Sequence, residues 1–239
     1  SVASVQAQKS QVIAHRGYWK TAGSAQNSIT SLQKADSIHC YGSEFDVWLA
    51  KDNKLVVNHD PVYKMKYMEY SKGDALTGLK LSNGENLPSL QKYLEAGKKC
   101  NTKLILELKA HNSKKRETKA VQEILAMVKK MGLEDRMEYI TFSLHAMKEF
   151  IRLAPAGTPV FYLNGELSPK ELKDLGAAGL DYHMGVIKKH PEWIKEAHDL
   201  GLKVNVWTVD KAEDMKWLID QKVDFITTNE PIVAQDMLK

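Results

Sequence analysis

Strand-like apolar runs alternate with amphipathic helical stretches, eight such units fit within 239 residues, and charged residues gather where the runs end. Together these predict an α/β protein of the (β/α)8 TIM-barrel class, because strands separated by helices pair in parallel through crossovers and eight units close naturally into a barrel. The runs are Gln11 to His15, Gly42 to Trp48, Lys103 to Lys109, Met137 to Ser143, Pro159 to Asn164, Leu180 to Met184, Lys203 to Val209 and Asp224 to Asn229. Between them, Lys115 to Met131 sets Ala120, Ile124, Leu125 and Val128 at helical spacing, and Ala212 to Asp220 does the same with Met215, Leu218 and Ile219. Within Lys103 to Lys109, Leu104, Leu106 and Leu108 alternate with Ile105, Glu107 and Lys109. One face is therefore apolar toward the helices and the other carries charge at its C-terminal end.

Two features depart from the regular repeat. Leu55 to Asn58 reads as an additional short strand after the second barrel strand, delivering His59-Asp60-Pro61 to an edge. Residues 62–88, with the turn clusters Ser71-Lys72-Gly73-Asp74 and Ser82-Asn83-Gly84-Glu85, lack strong periodicity and read as an insertion above the barrel, of the kind that borders a site. The expected organisation is one domain over residues 11–239. Residues 1–10 are expected to be disordered or an export-signal remnant, since Val5-Gln6-Ala7 before Gln8-Lys9 resembles the small-residue end of such a signal. A periplasmic or secreted location is the expectation, with a cytoplasmic one left open.

A net charge of +4 is small for this length, and Lys114-Lys115-Arg116 is soon interrupted by acids, so nucleic-acid binding is not implied. No apolar run is long enough to span a bilayer, which argues against stable membrane insertion. Cys40 and Cys100 form no metal-binding pair; one disulfide and two buried thiols are both open.

The chemistry concentrates in four clusters: His15-Arg16-Gly17, Glu44-Phe45-Asp46, His59-Asp60 and Glu107-Leu108-Lys109. Glu44 and Asp46, two apart on a strand, project from one face, and Glu107 occupies the corresponding place on the next barrel strand. Three converging carboxylates need a compensating cation, and their all-oxygen donor set favours Mg2+ or Ca2+ over zinc. Arg16 offers bidentate donors to a phosphate, and Gly17 allows close backbone approach. His15 and His59 are candidates for the base and acid that phosphodiester cleavage requires, with Asp60 orienting His59 or capping a turn. Lys109 shares the face of Glu107 and is placed to contact a phosphoryl oxygen. Trp207 has the inward parity of Asn205 and is either a wall of the barrel mouth or core.

These motifs, together with Gln26-Asn27-Ser28, the Lys51-Asp52-Asn53 turn leading to Val57-Asn58-His59-Asp60, Val206-Trp207-Thr208-Val209 and Ile226-Thr227-Thr228-Asn229-Glu230-Pro231, resemble the ordered motifs of the glycerophosphodiester phosphodiesterase family from about residue 11 onward. The resemblance implies hydrolysis of a small-molecule glycerophosphodiester to glycerol 3-phosphate and an alcohol. It also implies His15 and His59 as the acid/base pair, Glu44, Asp46 and Glu107 as ligands of one divalent cation, Ca2+ or Mg2+, and Arg16 and Lys109 as phosphate contacts. The chain departs from the family where Gln26-Asn27-Ser28 replaces Glu-Asn-Thr and where Asn229 replaces an acid before the C-terminal proline. Selectivity for the departing alcohol is expected in the loops and in residues such as Tyr18, Trp19, Tyr162 and Tyr182. Two other readings are carried: a phospholipase D-like barrel acting on intact lipid, for which Met65, Tyr67, Met68 and Tyr70 would form an apolar lip, and a non-catalytic barrel that binds a phosphorylated polyol.

Overall fold

A computed structural model describes residues 9–239. The export-signal reading of Val5 to Gln8 falls outside the described residues, while Ser10 is already buried, its hydroxyl donating to the Val223 carbonyl at 2.5 Å. The chain forms strands β1 (Gln11–Ala14), β2 (Gly42–Leu49), β3 (Leu55–Val57), β4 (Val62–Tyr63), β5 (Lys66–Tyr67), β6 (Lys103–Leu108), β7 (Met137–Thr141), β8 (Val160–Tyr162), β9 (Gly179–His183), β10 (Lys203–Trp207) and β11 (Phe225–Thr228). Its helices are α1 (Ile29–Ser37), α2 (Gly73–Thr77), α3 (Leu90–Lys98), α4 (Lys114–Lys130), α5 (Leu144–Leu153), α6 (Pro169–Leu175), α7 (Met184–Lys189), α8 (Glu192–Asp199), α9 (Ala212–Asp220) and α10 (Pro231–Met237). Strands β1, β2 and β6 to β11 pair in parallel in that order, and β11 returns to β1, closing the expected (β/α)8 barrel. The short strand β3 lies antiparallel on β2, with Val47 opposite Val57.

The alternating pattern of β6 sorts its side chains as anticipated. Leu104, Leu106 and Leu108 pack with the helices in the outer core, while Ile105 joins Ile13, Ile140, Phe161, Leu163 and Phe225 inside the barrel. Serines start five of the helices: Ser28, Ser89, Ser113, Ser143 and Ser168 each accept a backbone N–H of the first turn of α1, α3, α4, α5 and α6, satisfying donors that the helix itself leaves unpaired. Cys40 and Cys100 are both buried free thiols, and burial pushes Cys40 up to about 12.

The insertion is more ordered than its weak periodicity suggests. It holds the hairpin β4–β5, helix α2 and a bridge between Lys80 and Asn86, and it buries Met68, Leu76, Leu81 and Leu87 against Trp48, Ala50, Val56 and Ala25. This small second core anchors the segment that begins at His59. Of the four residues proposed as an apolar lip, Met68 belongs to that core, whereas Met65, Tyr67 and Tyr70 are exposed.

Candidate active site

Parallel pairing of β2 with β6 sets Asp46 opposite Glu107, and Glu44 stands one pleat earlier on the same face of β2. All three carboxylates are buried, and oxygens from each lie within 4.8 Å of one another. Burial, reinforced by the charges of Asp46 and Glu107, pushes Glu44 well above the usual carboxylate range. Burial and Asp46 together push Glu107 up to about 8. Burial opposes ionisation of Asp46 as well, but Lys109, His59 and the Asn27 amide hold it below its ordinary value. Such a trio carries unspent negative charge, and Glu44 Oε1 and Asp46 Oδ1 are buried with no donor among the described residues. Orphaned carboxylate oxygens converging at this spacing fit a hard divalent cation.

The remaining bonds of the trio are made by its neighbours. The Arg16 backbone N–H donates to Glu44 Oε2 at 3.0 Å, and Lys109 Nζ lies 2.9 Å from Glu107 Oε2. Burial opposes the Lys109 charge, but Glu107, Asp46 and Glu44 outweigh it and raise its affinity for the proton. Asn27 clamps Asp46 from both sides: its Nδ2 donates to Asp46 Oδ2 at 3.0 Å and its Oδ1 accepts the Asp46 backbone N–H at 3.2 Å. Gln26 accepts from Arg16 Nη1 at 2.6 Å, aligning the guanidinium along the mouth. Gly17 also lets α1 pack closely, since a Cβ there would lie 2.1 Å from Ser31 Oγ.

The two histidines arrive from different elements and are held differently. His15 follows β1, with Nδ1 2.9 Å from Asn229 Oδ1 and Nε2 3.9 Å from Glu44 Oε2. Asn229 donates its own Nδ2 to Asp210 Oδ2 at 3.0 Å, so its oxygen faces His15 and also accepts Trp19 Nε1–H at 2.9 Å. That orientation requires a proton on His15 Nδ1 and leaves Nε2 toward the carboxylates. Burial, aided by the Arg16 charge, lowers the His15 pKa. His59 follows β3, its Nδ1 2.6 Å from Asp60 Oδ1, in the orienting role foreseen for Asp60. Trp48 Nε1–H on the His59 carbonyl at 3.3 Å and Asn58 Nδ2 on the Asp60 carbonyl at 2.8 Å fix this turn.

A cavity of about 130 Å3 opens at the barrel mouth, lined by His15, Arg16, Glu44, His59, Glu107 and Lys109 on its charged side. Ile140, Phe142, Leu163, Trp207, Asp181, Thr208 and Thr227 form its other walls. Trp207 is therefore a wall of the mouth. A wider cleft of about 510 Å3 adjoins it, bordered by Trp19, Lys20, Ser24, Gln26, Asp60, Tyr63 and Ser82, and Arg16 and His59 line both. Tyr162 and Tyr182, expected from the sequence to influence the choice of departing alcohol, are instead fully buried in the outer core.

A family model for the glycerophosphoryl diester phosphodiesterase family matches residues 15–233. The chain belongs to this family. A glycerophosphodiester phosphodiesterase of Caldanaerobacter subterraneus is 27% identical over 238 residues, covering 93% of this chain and 95% of the relative. Among solved structures, a glycerophosphodiester phosphodiesterase from Parabacteroides distasonis is 53% identical, with a TM-score of 0.95 over 96% of this chain and 97% of that one. An Oleispira antarctica phosphodiesterase in complex with the product sn-glycerol-3-phosphate shares the fold at a TM-score of 0.81 and 22% identity, with 95% and 96% of the two chains covered. Family membership makes this protein an enzyme that hydrolyses glycerophosphodiesters, which sets aside the non-catalytic reading.

Several residues of this phosphodiesterase site escaped the reading of its motifs. Asp210 acts on His15 through Asn229, in a hydrogen-bond chain between two strand ends that no local spacing encodes. His111 is another: its Nε2 accepts the Leu49 N–H at 2.9 Å while Nδ1 donates to the Lys109 carbonyl at 2.5 Å, tying the loop after β6 to β2. Asp181 sits in mid-strand with apolar neighbours. Burial, with Glu107 and Glu138 adding to it, pushes its carboxyl well above the usual range.

Proposed function

We propose that the chain cleaves glycerophosphodiesters to glycerol 3-phosphate and an alcohol with His15 as base, His59 as acid, and one divalent cation, Ca2+ or Mg2+, held by Glu44, Asp46 and Glu107. The observation that carries this reading is the mouth cavity, which brings both histidines, Arg16, Lys109, Glu44 and Glu107 around one small space, with an Asp46 oxygen within 4.8 Å of oxygens of both carboxylates. The sn-glycerol-3-phosphate bound to the Oleispira antarctica phosphodiesterase, which has the same fold, is consistent with the products.

With the phosphoryl group between Arg16 and Lys109, the two cations neutralise its oxygens, and the bound divalent ion would add Lewis-acid polarisation of the same group. His15 presents the Nε2 lone pair to the cavity and takes the proton of the attacking oxygen. In the course that the family resemblance implies, that oxygen is the glycerol's own 2-hydroxyl, and water then opens the cyclic phosphate. His59 stands where cavity and cleft meet, and the Asp60 carboxylate supplies the counter-charge that an imidazolium requires. From there it protonates the alcohol oxygen as the P–O bond breaks, and the alcohol leaves through the cleft.

A turnover panel of glycerophosphocholine, glycerophosphoethanolamine, diglycerol phosphate and glycerophosphoinositol, each with chelator, Mg2+ and Ca2+, tests the reading. Activity should disappear with chelator and return with one of the cations, and His15→Ala and His59→Ala should each lower kcat by about 10²–10⁴-fold with the fold intact. Near-normal turnover in both variants would overturn it. Exposed Met65, Tyr67 and Tyr70 favour a second reading, phospholipase D-like action on intact lipid, which the same assay decides by adding phosphatidylcholine vesicles.

A further inference from the structure

One carboxylate in the mouth cavity has no part in the chemistry described above. Asp181, on β9, is 2% exposed. Its backbone carbonyl accepts Trp207 Nε1–H at 2.8 Å, but its Oδ1 is buried with no hydrogen-bond partner among the described residues. A buried carboxyl oxygen without a partner is costly, so it persists where a ligand or a trapped water completes it. Asp181 is not a fourth member of the acidic trio, whose mutually close oxygens come from Glu44, Asp46 and Glu107 alone among the described residues.

The surroundings say what kind of ligand completes it. Opposite the charged rim, the cavity has a carbon-rich side made by Ile140, Phe142, Leu163 and Trp207, with the Phe142 and Trp207 rings meeting edge to face at a centroid separation of 5.7 Å. Because the indole N–H is taken up by the Asp181 carbonyl, Trp207 offers the cavity its hydrocarbon faces. The polar side consists of Asp181, Thr208 and Thr227; the Thr227 hydroxyl already donates to Asn205 Oδ1 at 2.9 Å, and Asp181 is the one of the three with a buried side-chain oxygen lacking a partner among the described residues. At about 130 Å3 the space suits a short polyol, with one hydrocarbon edge and one hydroxyl edge, and is too small for an acyl chain.

We propose that Asp181 binds the terminal hydroxyl of the substrate's glycerol moiety, which makes the small mouth cavity a polyol-selective subsite and leaves the wider cleft to the alcohol. The proposal rests on the reaction assigned above. It locates selectivity in the glycerol half, where the cavity is small and Asp181 is buried, and tolerance in the alcohol half, where the cleft is wide.

The experiment compares glycerophosphocholine with the analogue in which 1,2-propanediol replaces glycerol, keeping the 2-hydroxyl and lacking only the terminal one. A site built to hydrogen-bond a hydroxyl rejects the analogue strongly, so the wild-type enzyme should prefer glycerophosphocholine by roughly 100-fold or more in kcat/KM. In Asp181→Ala that preference should fall to within about threefold, while Asp181→Asn, which keeps hydrogen-bonding capacity, should retain most of it. A parallel calorimetric titration of the three proteins with glycerol 3-phosphate and with 2-hydroxypropyl phosphate, in the presence of Ca2+, reads the same discrimination without turnover. Unchanged discrimination in Asp181→Ala overturns the role of Asp181. Absence of wild-type turnover with discrimination in binding intact would overturn the assigned reaction and leave the subsite standing.

Discussion

The competence of His15 depends on atoms that never meet the substrate. Asn229 can present its oxygen to Nδ1 only because Asp210 claims its amide nitrogen and, through Oδ1, its backbone N–H at 2.8 Å. Replacing Asn229 with Asp puts two carboxylates face to face, with no proton to share, and disorders the acceptor of both His15 and Trp19. Asn229→Asp should therefore lower kcat by roughly ten- to hundredfold, part of the 10²–10⁴ that positioned acid–base catalysis contributes. The exchange Asn229→Asp with Asp210→Asn restores the side-chain bond with donor and acceptor reversed, and should recover most of the rate. Steady-state kinetics of the three variants checks this, and a double variant as slow as the single one rules the chain out as the positioning device. The sequence already marked Asn229 as a departure from the family's usual acid, yet its compensation at Asp210 lies 19 residues away and emerges only from the register of the barrel.

At the scale of elements, what could be read in advance was whatever strand periodicity encodes. The pleat of β2 and β6 placed Glu44, Asp46, Glu107 and Lys109 on one face, and the structure brings them together there. The insertion was less legible because its order comes from burial of isolated residues such as Met68 and Leu76 against Trp48, not from a repeating pattern. Gly17 stood out in the sequence for close backbone approach, and its packing adds a reason that the sequence did not show. Its φ is +77°, and a Cβ added there would lie 2.7 Å from the Ser31 backbone carbon, so α1 packs directly on the turn after β1. Gly17→Ala should push that helix outward and drag Asn27, whose N–H bonds the Arg16 carbonyl at 3.0 Å, away from Asp46. The expected cost is about 1–3 kcal/mol of stability, seen as a Tm lower by several degrees, together with weaker Ca2+ or Mg2+ binding in a calorimetric titration.

For the whole molecule, the barrel interior stacks a carboxylate trio at one end over an apolar layer and a further buried acid, Glu138, at the other. A cation that binds only the folded trio stabilises by mass action, by about 2.7 kcal/mol at a hundred times its Kd; for a chain of this size that is roughly 5–10 °C in Tm. Ca2+ or Mg2+ should therefore raise Tm above the value in chelator, and a Glu44→Gln, Asp46→Asn, Glu107→Gln triple variant should not respond. Glu138 gives a separate signature. It is 4% exposed and accepts from the Tyr41 hydroxyl, and burial raises its pKa despite that bond and the nearby charges of Lys103 and Lys203. The folded state thus binds a proton that the unfolded state releases as pH rises above the ordinary glutamate value. In that window stability falls with increasing pH, and the loss is complete once the pH has passed the raised folded value. Glu138→Gln keeps an acceptor for Tyr41 and has no proton to lose, and all other titrating groups are common to both proteins. Thermal unfolding from pH 4 to 8 should accordingly show the Gln variant gaining on the wild type as pH rises. A difference in Tm that stays flat across that range would mean that Glu138 ionises in the barrel floor as easily as in water.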